Sequence, residues 1–432
     1  LIRRAIGYAP DNAVYYFNLG NVYRAQDELD AAAAAYREAI ALQANEADYH
    51  NNLGEVLAAQ GRWDQARDCY ARAVGLQADD AILQLNLAQA QRVLGQPEAA
   101  LPAYWRAAEL DHDNPWIALD LGACLQQLGK LDAAAAHYRQ ALAMQPEMAQ
   151  AHNNLGGIHH ARGELAEAAA CYTAALTADP ELAEAHRNLA GVLELTGDRD
   201  HAMHHYAEAL RIKPDYAEAA YKLAALRGEA APDSAPPEYV ASLFDQYAEE
   251  FDAHLTGMLG YCTPQRLREL FDSLAPGAAQ LQVLDLGCGT GLSGAAFREC
   301  AAWLCGVDLS PRMIAKAEQR GIYDALRVSE VLAQLQSESA RWDLIVAADV
   351  FVYLGDLSDV LQSAARALRP AGWLVFSVEQ AANTERFTLH EAGRYAHNLR
   401  YIRRLAEQTG LVLRAEEETV LRQNLGKDVT GL

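Results

Sequence analysis

The sequence predicts an α-solenoid built from 34-residue repeats, followed by an α/β domain with a mostly parallel sheet. Two observations predict this division. Residues of one type recur every 34 positions in the first half of the chain, and short apolar runs alternate with helical stretches in the second half. At 432 residues the chain is also too long for one ordinary core, which favours two or three domains.

Composition and charge narrow the classes of partner. Hydrophobic residues make up 51% of the chain and charged residues 22%, as in ordinary globular proteins. Residues 1–230 carry 18 Lys and Arg against 31 Asp and Glu, and residues 231–432 carry 18 against 27. Neither half has the basic surface that nucleic acid or an anionic membrane requires, so we expect neither as a partner.

The cysteines indicate the cellular compartment, and the first residue bears on the length of the natural protein. The seven cysteines form no Cys-x-x-Cys pair, which predicts free thiols in a reducing cytoplasm. No apolar stretch approaches the roughly 18–20 residues of a membrane span. Because the sequence begins with Leu1 and not with methionine, we expect the natural protein to be longer at its N-terminus.

Three positions define the repeat, and each recurs six times at intervals of 34 residues. They are Tyr36, Tyr70, Tyr104, Tyr138, Tyr172 and Tyr206; Ala39, Ala73, Ala107, Ala141, Ala175 and Ala209; and Leu19, Leu53, Leu87, Leu121, Leu155 and Leu189. Glycine or alanine follows each leucine, which lets the first helix approach its neighbour closely. The tyrosine is expected to fill the gap between the second helix of one repeat and the first helix of the next. Each unit therefore predicts two amphipathic helices.

This period and its alternation of small and large residues resemble the tetratricopeptide repeat. The resemblance implies a superhelix whose concave face is formed by the first helix of each repeat. The repeat domain is predicted over 1–228, with full repeats at 13–46, 47–80, 81–114, 115–148, 149–182 and 183–216, a partial repeat before them and a capping helix over 217–228. A linker rich in alanine and proline is predicted over 229–237, and the second domain over 238–432.

One position of the first helix is asparagine in five repeats, namely Asn18, Asn52, Asn86, Asn154 and Asn188, and Asp120 replaces it in the fourth. Each side-chain amide offers a donor and an acceptor, so such a row can bind the backbone of an extended peptide. Similar rows hold extended polypeptides in tetratricopeptide proteins. The alternative, that these side chains meet only water, stays open. His201 and His205 have the i, i+4 spacing of metal ligands, but no third ligand is evident and we predict no metal.

The second half alternates strands with helices, as a parallel sheet requires. The predicted strands are Leu281–Leu286, Trp303–Val307, Ala325–Val328, Leu344–Ala348, Trp373–Val378 and Leu411–Ala415. A seventh, antiparallel strand should begin near Val429, where the sequence stops. We therefore expect either a trimmed C-terminus or a sheet that is completed in another way.

The most informative segment is Asp-Leu-Gly-Cys-Gly-Thr-Gly, which begins at Asp285 and follows a buried strand. Its glycines permit positive φ and let the backbone pass close to a ligand. The helix that begins beyond them offers free N–H groups to an anion. Asp308 ends the next strand, where a carboxylate can accept hydrogen bonds from both hydroxyls of a ribose.

This segment, followed by Val-Asp-Leu-Ser and Asp-Leu-Ile-Val-Ala-Ala-Asp, resembles the Rossmann-like, S-adenosylmethionine-dependent methyltransferases over about residues 238–432. The resemblance implies S-adenosyl-L-methionine as the cofactor. It places Gly287, Cys288 and Gly289 along the methionine portion, Asp285 at the loop and the amino group, Asp308 at the ribose, Leu309 and Met313 at the adenine, Glu330 near the adenine amino group, and Asp349 beside the methionine end.

The stretch Ser242–His254 resembles the lid helix that precedes the first strand in many such methyltransferases. Tyr247 is expected to bind the cofactor carboxylate, with Tyr261 as the alternative. A second interpretation, in which both tyrosines only pack between lid and sheet, stays open.

An amine or hydroxyl acceptor needs its proton removed, which requires a general base. The candidates are His397, His390, Tyr353 and Asp349. His397 is expected just before a helix, at the substrate mouth above the sheet. A histidine with only a structural hydrogen bond is an equally open interpretation.

The combined hypothesis is a methyltransferase whose repeat domain recruits a peptide or protein substrate. Three alternatives remain at this point. The enzyme could methylate a small molecule while the repeats serve assembly, or the chain could be a scaffold that senses the cofactor without catalysis. A nicotinamide-dependent oxidoreductase is disfavoured, because the loop reads Gly-x-Gly-x-Gly after Asp285.

Overall fold

The computed structural model describes residues 1–228, 232–248, 251–252, 261–381, 384–424 and 427–432. The chain divides into two compact units, Leu1–Thr196 and Gly197–Leu432. This division falls about one repeat before the boundary that the repeat register predicts. Among the residues described, no helix combines the length and apolar character that crossing a bilayer requires.

The first unit is a series of helices joined by short turns. They are α1 Ile2–Tyr8, α2 Ala13–Ala25, α3 Leu29–Leu42, α4 Ala47–Ala59, α5 Trp63–Leu76, α6 Ala81–Val93, α7 Pro97–Leu110, α8 Pro115–Gln127, α9 Leu131–Met144, α10 Ala149–Ala161, α11 Leu165–Ala178 and α12 Ala183–Leu195. Inside the helix pairs, glycines such as Gly61 and Gly129 take φ values of 75° and 71°. Asp27 takes the same place in the first full repeat, with φ 59°. The α-solenoid is confirmed.

The repeated tyrosines are buried against the small residue of their own repeat. A Cβ atom on Gly54 would lie 2.6 Å from the ring of Tyr70, and one on Gly122 would lie 2.7 Å from the ring of Tyr138. The prediction that the tyrosine fills the gap to the next repeat is therefore incomplete, because its closest approach lies within one helix pair. Glycine is needed there because the ring occupies the space of a side chain.

The second unit begins with α13 Arg199–Ile212 and α14 Ala217–Arg227 and then carries two sheets. Its further helices are α15 Pro237–Tyr247, α16 Thr263–Leu274, α17 Leu292–Phe297, α18 Pro311–Gln319, α19 Val331–Gln336, α20 Ser358–Ala367 and α21 Leu399–Thr409. The strands are β1 Leu281–Leu286, β2 Ala301–Asp308, β3 Ala325–Val328, β4 Trp342–Ala347, β5 Leu368–Phe376, β6 Glu379–Gln380, β7 Phe387–His390, β8 Arg394–His397, β9 Thr419–Asn424 and β10 Lys427–Gly431.

The first sheet is parallel and has the order β3-β2-β1-β4-β5, which is Rossmann-like. Apolar side chains cover both faces, with α20 and α21 packed on one and α16 and α17 on the other. The strand order reverses between β1 and β4, and ligands of such sheets bind at the carboxyl ends of the strands there. The first five predicted strands are confirmed, the first four with small changes at most, whereas β5 begins at Leu368 and not at Trp373.

The prediction of a strand at Leu411–Ala415 is wrong, since these residues form no strand. The segment lies exposed, and the side chain of Val412 is 69% accessible. The apolar run Leu-Val-Leu is typical of a strand. A strand also needs a neighbouring strand edge to pair with, and the apolar pattern does not show whether such an edge is available.

A second sheet, with the order β7-β8-β6-β10-β9, was not predicted. β9 and β10 form an antiparallel pair close to where the final strand was expected, and β10 pairs with β6 in place of the first sheet. β7 and β8 form a hairpin. These strands are two to six residues long, too short for their alternation to stand out in the sequence.

The helix α14 packs on the β7–β8 hairpin. The buried hydroxyl of Tyr221 donates a 2.8 Å hydrogen bond to the carbonyl of Gly393, which precedes β8. Its ring centroid lies 6.1 Å from that of Tyr395. Arg199 at the start of α13 pairs with Glu391 in the hairpin turn. The last two repeat helices are thus part of the same compact unit as the parallel sheet.

The contact between glycine and tyrosine yields a stability prediction. Gly54→Val forces the Tyr70 ring to move, so we expect the variant to lose about 1–3 kcal/mol of stability. Gly75→Ala, in the adjacent helix α5, meets no atom within 4 Å and should gain about 0.5–1 kcal/mol from helix propensity. Thermal unfolding by circular dichroism measures both, and equal melting temperatures for the two variants would contradict the packing described.

Candidate functional site

A cavity of about 350 Å³ opens at the carboxyl ends of β1, β2 and β4. This volume lies within the range of sites for small ligands, which is about 300–1,000 Å³. The predicted residues that line it are Tyr261, Gly287, Cys288, Gly289, Asp308, Leu309, Glu330, Asp349 and Tyr353. The cavity therefore collects side chains that are distant in sequence at the place where the strand order reverses.

The glycine loop between β1 and α17 forms one wall. Gly287 and Gly289 have φ values of 58° and 53°, and Gly291 before α17 has φ 98°. A Cβ atom on Gly287 would lie 2.5 Å from the side chain of Val350. A Cβ atom on Gly289 would lie 3.5 Å from the ring of Phe251. A side chain at either position would strain the backbone or narrow the cavity.

Asp308 ties the glycine loop to the end of β2. Its Oδ2 accepts from the N–H of Gly289 at 2.9 Å, and its Oδ1 accepts from the N–H of Ser310 at 2.8 Å. Burial raises the pKa of Asp308, although these two N–H groups oppose the change. The carboxylate still lines the cavity, and each oxygen has a second lone pair for a ligand.

Asp285 lies beneath the loop and does not line the cavity. Its Oδ2 accepts from the hydroxyl of Tyr323 at 2.6 Å, and burial raises its pKa to about 7. Within the described part of the chain, its Oδ1 has no hydrogen-bond partner. Asp285 thus joins the end of β1 to Tyr323, and its predicted contacts with the loop and with a cofactor amino group stay predictions.

Asp349 and Tyr353 line the wall beyond β4. Asp349 has a positive φ of 56°, and the hydroxyl of Ser377 accepts from its N–H and donates to its carboxylate, both at 2.8 Å. The ring of Tyr353 packs edge-on against Phe244 of α15 at 5.5 Å. These contacts fix both side chains in place before a ligand binds.

The helix α15 lines the cavity with Pro237, Val240 and Phe244, and it overlaps only residues 242–247 of the predicted lid. Asp245 accepts from the hydroxyl of Ser310 and from the N–H of Arg312, which joins α15 to the start of α18. Tyr247 is 44% accessible and does not line the cavity, whereas Tyr261 does. Tyr261 is therefore better placed than Tyr247 to contact a ligand. His254, at the end of the predicted lid, lies outside the described residues.

Two residues predicted at the adenine differ in placement. Glu330 precedes α19 and is exposed at the cavity. Met313 is fully buried in α18 and does not line the cavity, and its N–H donates to the Ser310 hydroxyl at 3.0 Å. Met313 thus supports the wall from behind.

The prediction that His397 is open to the substrate mouth is wrong. His397 lies in β8 with no accessible surface, and its Nε2 pairs with the carbonyl of Gly355 at 3.1 Å. Burial lowers its pKa to about 4. His390, the second histidine candidate, is exposed at the end of β7 and does not line the cavity. Neither histidine is placed to remove a proton from a bound acceptor.

Arg394, three residues before His397, lines the cavity and was missed by the sequence analysis. Alternate residues of a strand point to opposite faces, so Arg394 and His397 in β8 face opposite ways. A strand assignment would have revealed this, but a loop before a helix was expected instead. Asp356, which the sequence analysis also missed, lines the cavity as well. Burial opposes its ionisation, but hydrogen bonds from Ser358 and Tyr401 outweigh burial and lower its pKa to about 2.

Three asparagines of the predicted row donate to asparagines outside the row, on the first helix of the preceding repeat. Asn52 donates to Asn21, Asn86 donates to Asn51 and Asn188 donates to Asn153, at 2.8–3.1 Å. Asn18 is exposed, and Asn52, Asn86, Asn154 and Asn188 are half-buried. The alternative in which these side chains meet only water is therefore wrong for Asn52, Asn86 and Asn188, whereas the peptide groove stays a prediction. Replacing four of them would remove bonds between adjacent repeats as well as contacts to a ligand.

Comparison with known families agrees with both parts of the chain. A family described as a methyltransferase domain matches residues 259–416. A family described as a tetratricopeptide repeat matches residues 51–115, 119–183 and 163–217, and a second repeat family matches residues 20–61. The chain therefore carries tetratricopeptide repeats followed by a methyltransferase domain.

Curated relatives resemble the second part of the chain. A ubiquinone biosynthesis O-methyltransferase of Bordetella avium (strain 197N) is 28% identical over 118 residues, which is 26% of this chain and 48% of that protein. A malonyl-[acyl-carrier protein] O-methyltransferase of Serratia marcescens is 30% identical over 156 residues, 36% of this chain and 58% of that protein. The chain spans about half the length of the curated relatives it matches.

Solved structures resemble the repeats. The protein YrrB, described as a tetratricopeptide protein with an unusual peptide-binding site, is 26% identical with a TM-score of 0.39 and covers 43% of this chain and 95% of its own. PilW, described as a type IV pilus biogenesis factor, is 19% identical with a TM-score of 0.44 and covers 48% of this chain and 96% of its own.

The burial of His397 predicts a pH dependence of stability. Unfolded histidine has a pKa near 6.5, and the folded value is about 4, so the unfolded chain binds the extra proton between these values. Stability should therefore rise with pH across this window, by at most about 1.4 kcal/mol per pH unit from this group. His397→Gln keeps an N–H donor for Gly355 and should lose this rise. Urea unfolding at about pH 5 and pH 7 tests this, and equal slopes for wild type and variant would refute it.

Proposed function

We propose that this chain, in which tetratricopeptide repeats precede a methyltransferase domain, is an S-adenosylmethionine-dependent methyltransferase whose repeats bind a polypeptide. The observation that carries the proposal is Asp308. A buried carboxylate held by two backbone N–H groups lines a cavity directly beside a glycine loop. This arrangement suits a ligand in which a ribose binds the carboxylate and a chain attached to the ribose lies along the glycine loop.

The residues present fit the cofactor. Asp308 would accept from the ribose hydroxyls, Leu309 would contact the adenine, and the loop around Gly289 would lie along the methionine portion. Asp285 lies beneath that loop, and because burial raises its pKa to about 7, it is partly protonated at neutral pH and adds only part of a negative charge there. When bound, S-adenosylmethionine supplies a methyl group on a positively charged sulfur, which a nucleophilic atom of the acceptor takes.

The chain contributes orientation and exclusion of water more than proton transfer. Phe244 and Phe251 cover the cavity with rings 5.9 Å apart and so limit access of water. Asp349 and Tyr353 are fixed on the side away from Asp308, where they can orient an acceptor. Since both histidine candidates lie away from the cavity, Asp349 and Tyr353 are the remaining candidates for the general base that an un-ionised acceptor would need.

We favour an oxygen acceptor on a small molecule or on a side chain that enters the cavity. Both relatives described above are named O-methyltransferases, one acting in ubiquinone biosynthesis and one on a malonyl group carried by a protein. The recruitment of a peptide or protein substrate by the repeats stays part of the proposal. The seven free cysteines support a location in the reducing cytoplasm.

The surface of the repeats supports polypeptide binding at one further position. The second residue of the first helix is Ile82 in one repeat and Trp116 in the next, and these side chains are 63% and 54% accessible. Large exposed apolar side chains at successive repeats can anchor apolar side chains of a bound peptide. The asparagines nearby are already bonded, so these two residues are the better candidates for contact.

Asp308→Ala tests the cofactor assignment. Loss of the carboxylate removes the acceptor for the ribose and frees the Gly289 N–H, so affinity for S-adenosylhomocysteine should fall by roughly 2–4 kcal/mol in isothermal calorimetry. Asp343→Ala is the matched control, because Asp343 also accepts from a backbone N–H, that of Gln282, and lies outside the cavity. Binding by Asp308→Ala within about twofold of wild type would refute the assignment.

Trp116→Ala tests the polypeptide surface of the repeats. Peptides selected by display against the full chain should bind this variant at least about 10-fold more weakly, because an exposed tryptophan that anchors a ligand is typically a hot spot. Trp105→Ala is the matched control, since Trp105 is similarly exposed but lies on the second helix of its repeat. Equal weakening by both variants, or by neither, would contradict a binding surface at Trp116.

A further inference from the structure

Arg394 differs from the other charged groups of the cavity in its bonding. The cavity is lined by acidic side chains, namely Asp233, Asp308, Glu330, Asp349, Asp356 and Asp359, and Arg394 is the one basic side chain among its described lining residues. Asp308 accepts from two N–H groups, and Asp349 accepts from the Ser377 hydroxyl. The carboxylates of Asp308 and Asp349 are thus already held by hydrogen-bond donors.

The guanidinium of Arg394 is not held in this way. Its nearest ion pair within the described residues is Glu379, with Nη1 and Oε1 separated by 3.7 Å, beyond the usual 2.7–3.2 Å of a hydrogen bond. It lies 5.6 Å from the centroid of the Tyr353 ring, which supports one face of its plane. Arginine presents five N–H donors in a planar fork that matches a carboxylate, and here those donors have no hydrogen-bonded acceptor in the described structure.

The position of Arg394 is set by rigid structure. It is the first residue of β8, and the preceding Gly393 has its carbonyl bonded to the Tyr221 hydroxyl of α14. Tyr353, which supports the guanidinium, is itself packed against Phe244. A donor fork that is fixed before binding loses little conformational entropy when a ligand arrives.

We infer that Arg394 is the carboxylate-binding residue of this cavity. The inference rests on the proposed function, since the carboxylate belongs either to the acceptor that is methylated or to the cofactor. An acceptor that carries a carboxylate would place it against Arg394 beside Tyr353, and the methionine portion of the cofactor carries one as well. Bidentate pairing with the guanidinium serves either source.

The experiment compares wild type with Arg394→Met and Arg394→Lys in the full chain. Four probes are used, namely S-adenosylhomocysteine, 5′-methylthioadenosine, malonate and uncharged malonamide, and the dissociation constants come from ligand-dependent shifts in melting temperature. 5′-Methylthioadenosine lacks the amino-acid portion of the cofactor, and malonamide lacks the carboxylates of malonate. Arg369→Met is the matched control, since Arg369 pairs with Asp343 outside the cavity.

Arg394→Met should weaken the binding of a carboxylate probe by about 10- to 100-fold, and Arg394→Lys by less. Weakened malonate with unchanged S-adenosylhomocysteine assigns the acceptor's carboxylate to Arg394. Weakened S-adenosylhomocysteine with unchanged 5′-methylthioadenosine assigns the cofactor's carboxylate instead. In both outcomes the uncharged probes and the Arg369→Met control stay at wild-type affinity.

Two results would overturn the inference. In the first, Arg394→Met binds both malonate and S-adenosylhomocysteine within about twofold of wild type. In the second, wild type binds no malonate, and Arg394→Met keeps full affinity for S-adenosylhomocysteine. If Arg394→Met fails to fold by circular dichroism, Arg394→Lys decides by the same criterion. Failure of the proposed function looks different: wild type then binds neither S-adenosylhomocysteine nor 5′-methylthioadenosine, while malonate still tests Arg394.

Discussion

The carboxylate of Asp308 links the ends of two neighbouring strands through its bonds to the N–H groups of Gly289 and Ser310. Without it, the N–H of Gly289 would lose its acceptor, and so would the N–H of Ser310, the residue that caps α18. The loop has a second side-chain contact at Thr290, whose carbonyl accepts from Arg320. The positive φ values of the loop glycines follow from this constraint, because the chain must turn sharply to bring Gly289 to Asp308. The cavity, its lining and the proposed cofactor site all depend on that turn.

Features encoded by local pattern could be predicted from the sequence. The 34-residue spacing predicted the helix pairs, and the run of apolar residues before Asp285 predicted β1 and the glycine loop that follows it. Features that depend on distant pairing could not be predicted. Leu411–Ala415 has the pattern of a strand but no strand partner, and the short β8 was missed, which put His397 at the site in place of Arg394. The asparagine row was recognised as a row, yet its bonds between helices arise only when successive repeats stack.

The last two repeat helices acquire a second role in this account. α14 is predicted from the repeat register as a capping helix, but in the structure its Tyr221 holds the turn that leads into Arg394. A helix of the repeat series thus positions a side chain of the cavity. A fragment that begins at residue 238 would lack this contact and the pairing of Arg199 with Glu391, so the second unit is better represented by Gly197–Leu432.

The central claim is that the cavity at the ends of β1 and β2 binds S-adenosylmethionine, and hydrogen exchange with S-adenosylhomocysteine tests it most directly. Amides that lie against a ligand or that gain order on binding exchange more slowly. The account predicts slower exchange in the glycine loop 287–291 and in the segment 308–313, with unchanged exchange in the repeats before Thr196. Unaltered exchange in the loop at saturating ligand, or protection confined to the repeats, would contradict it.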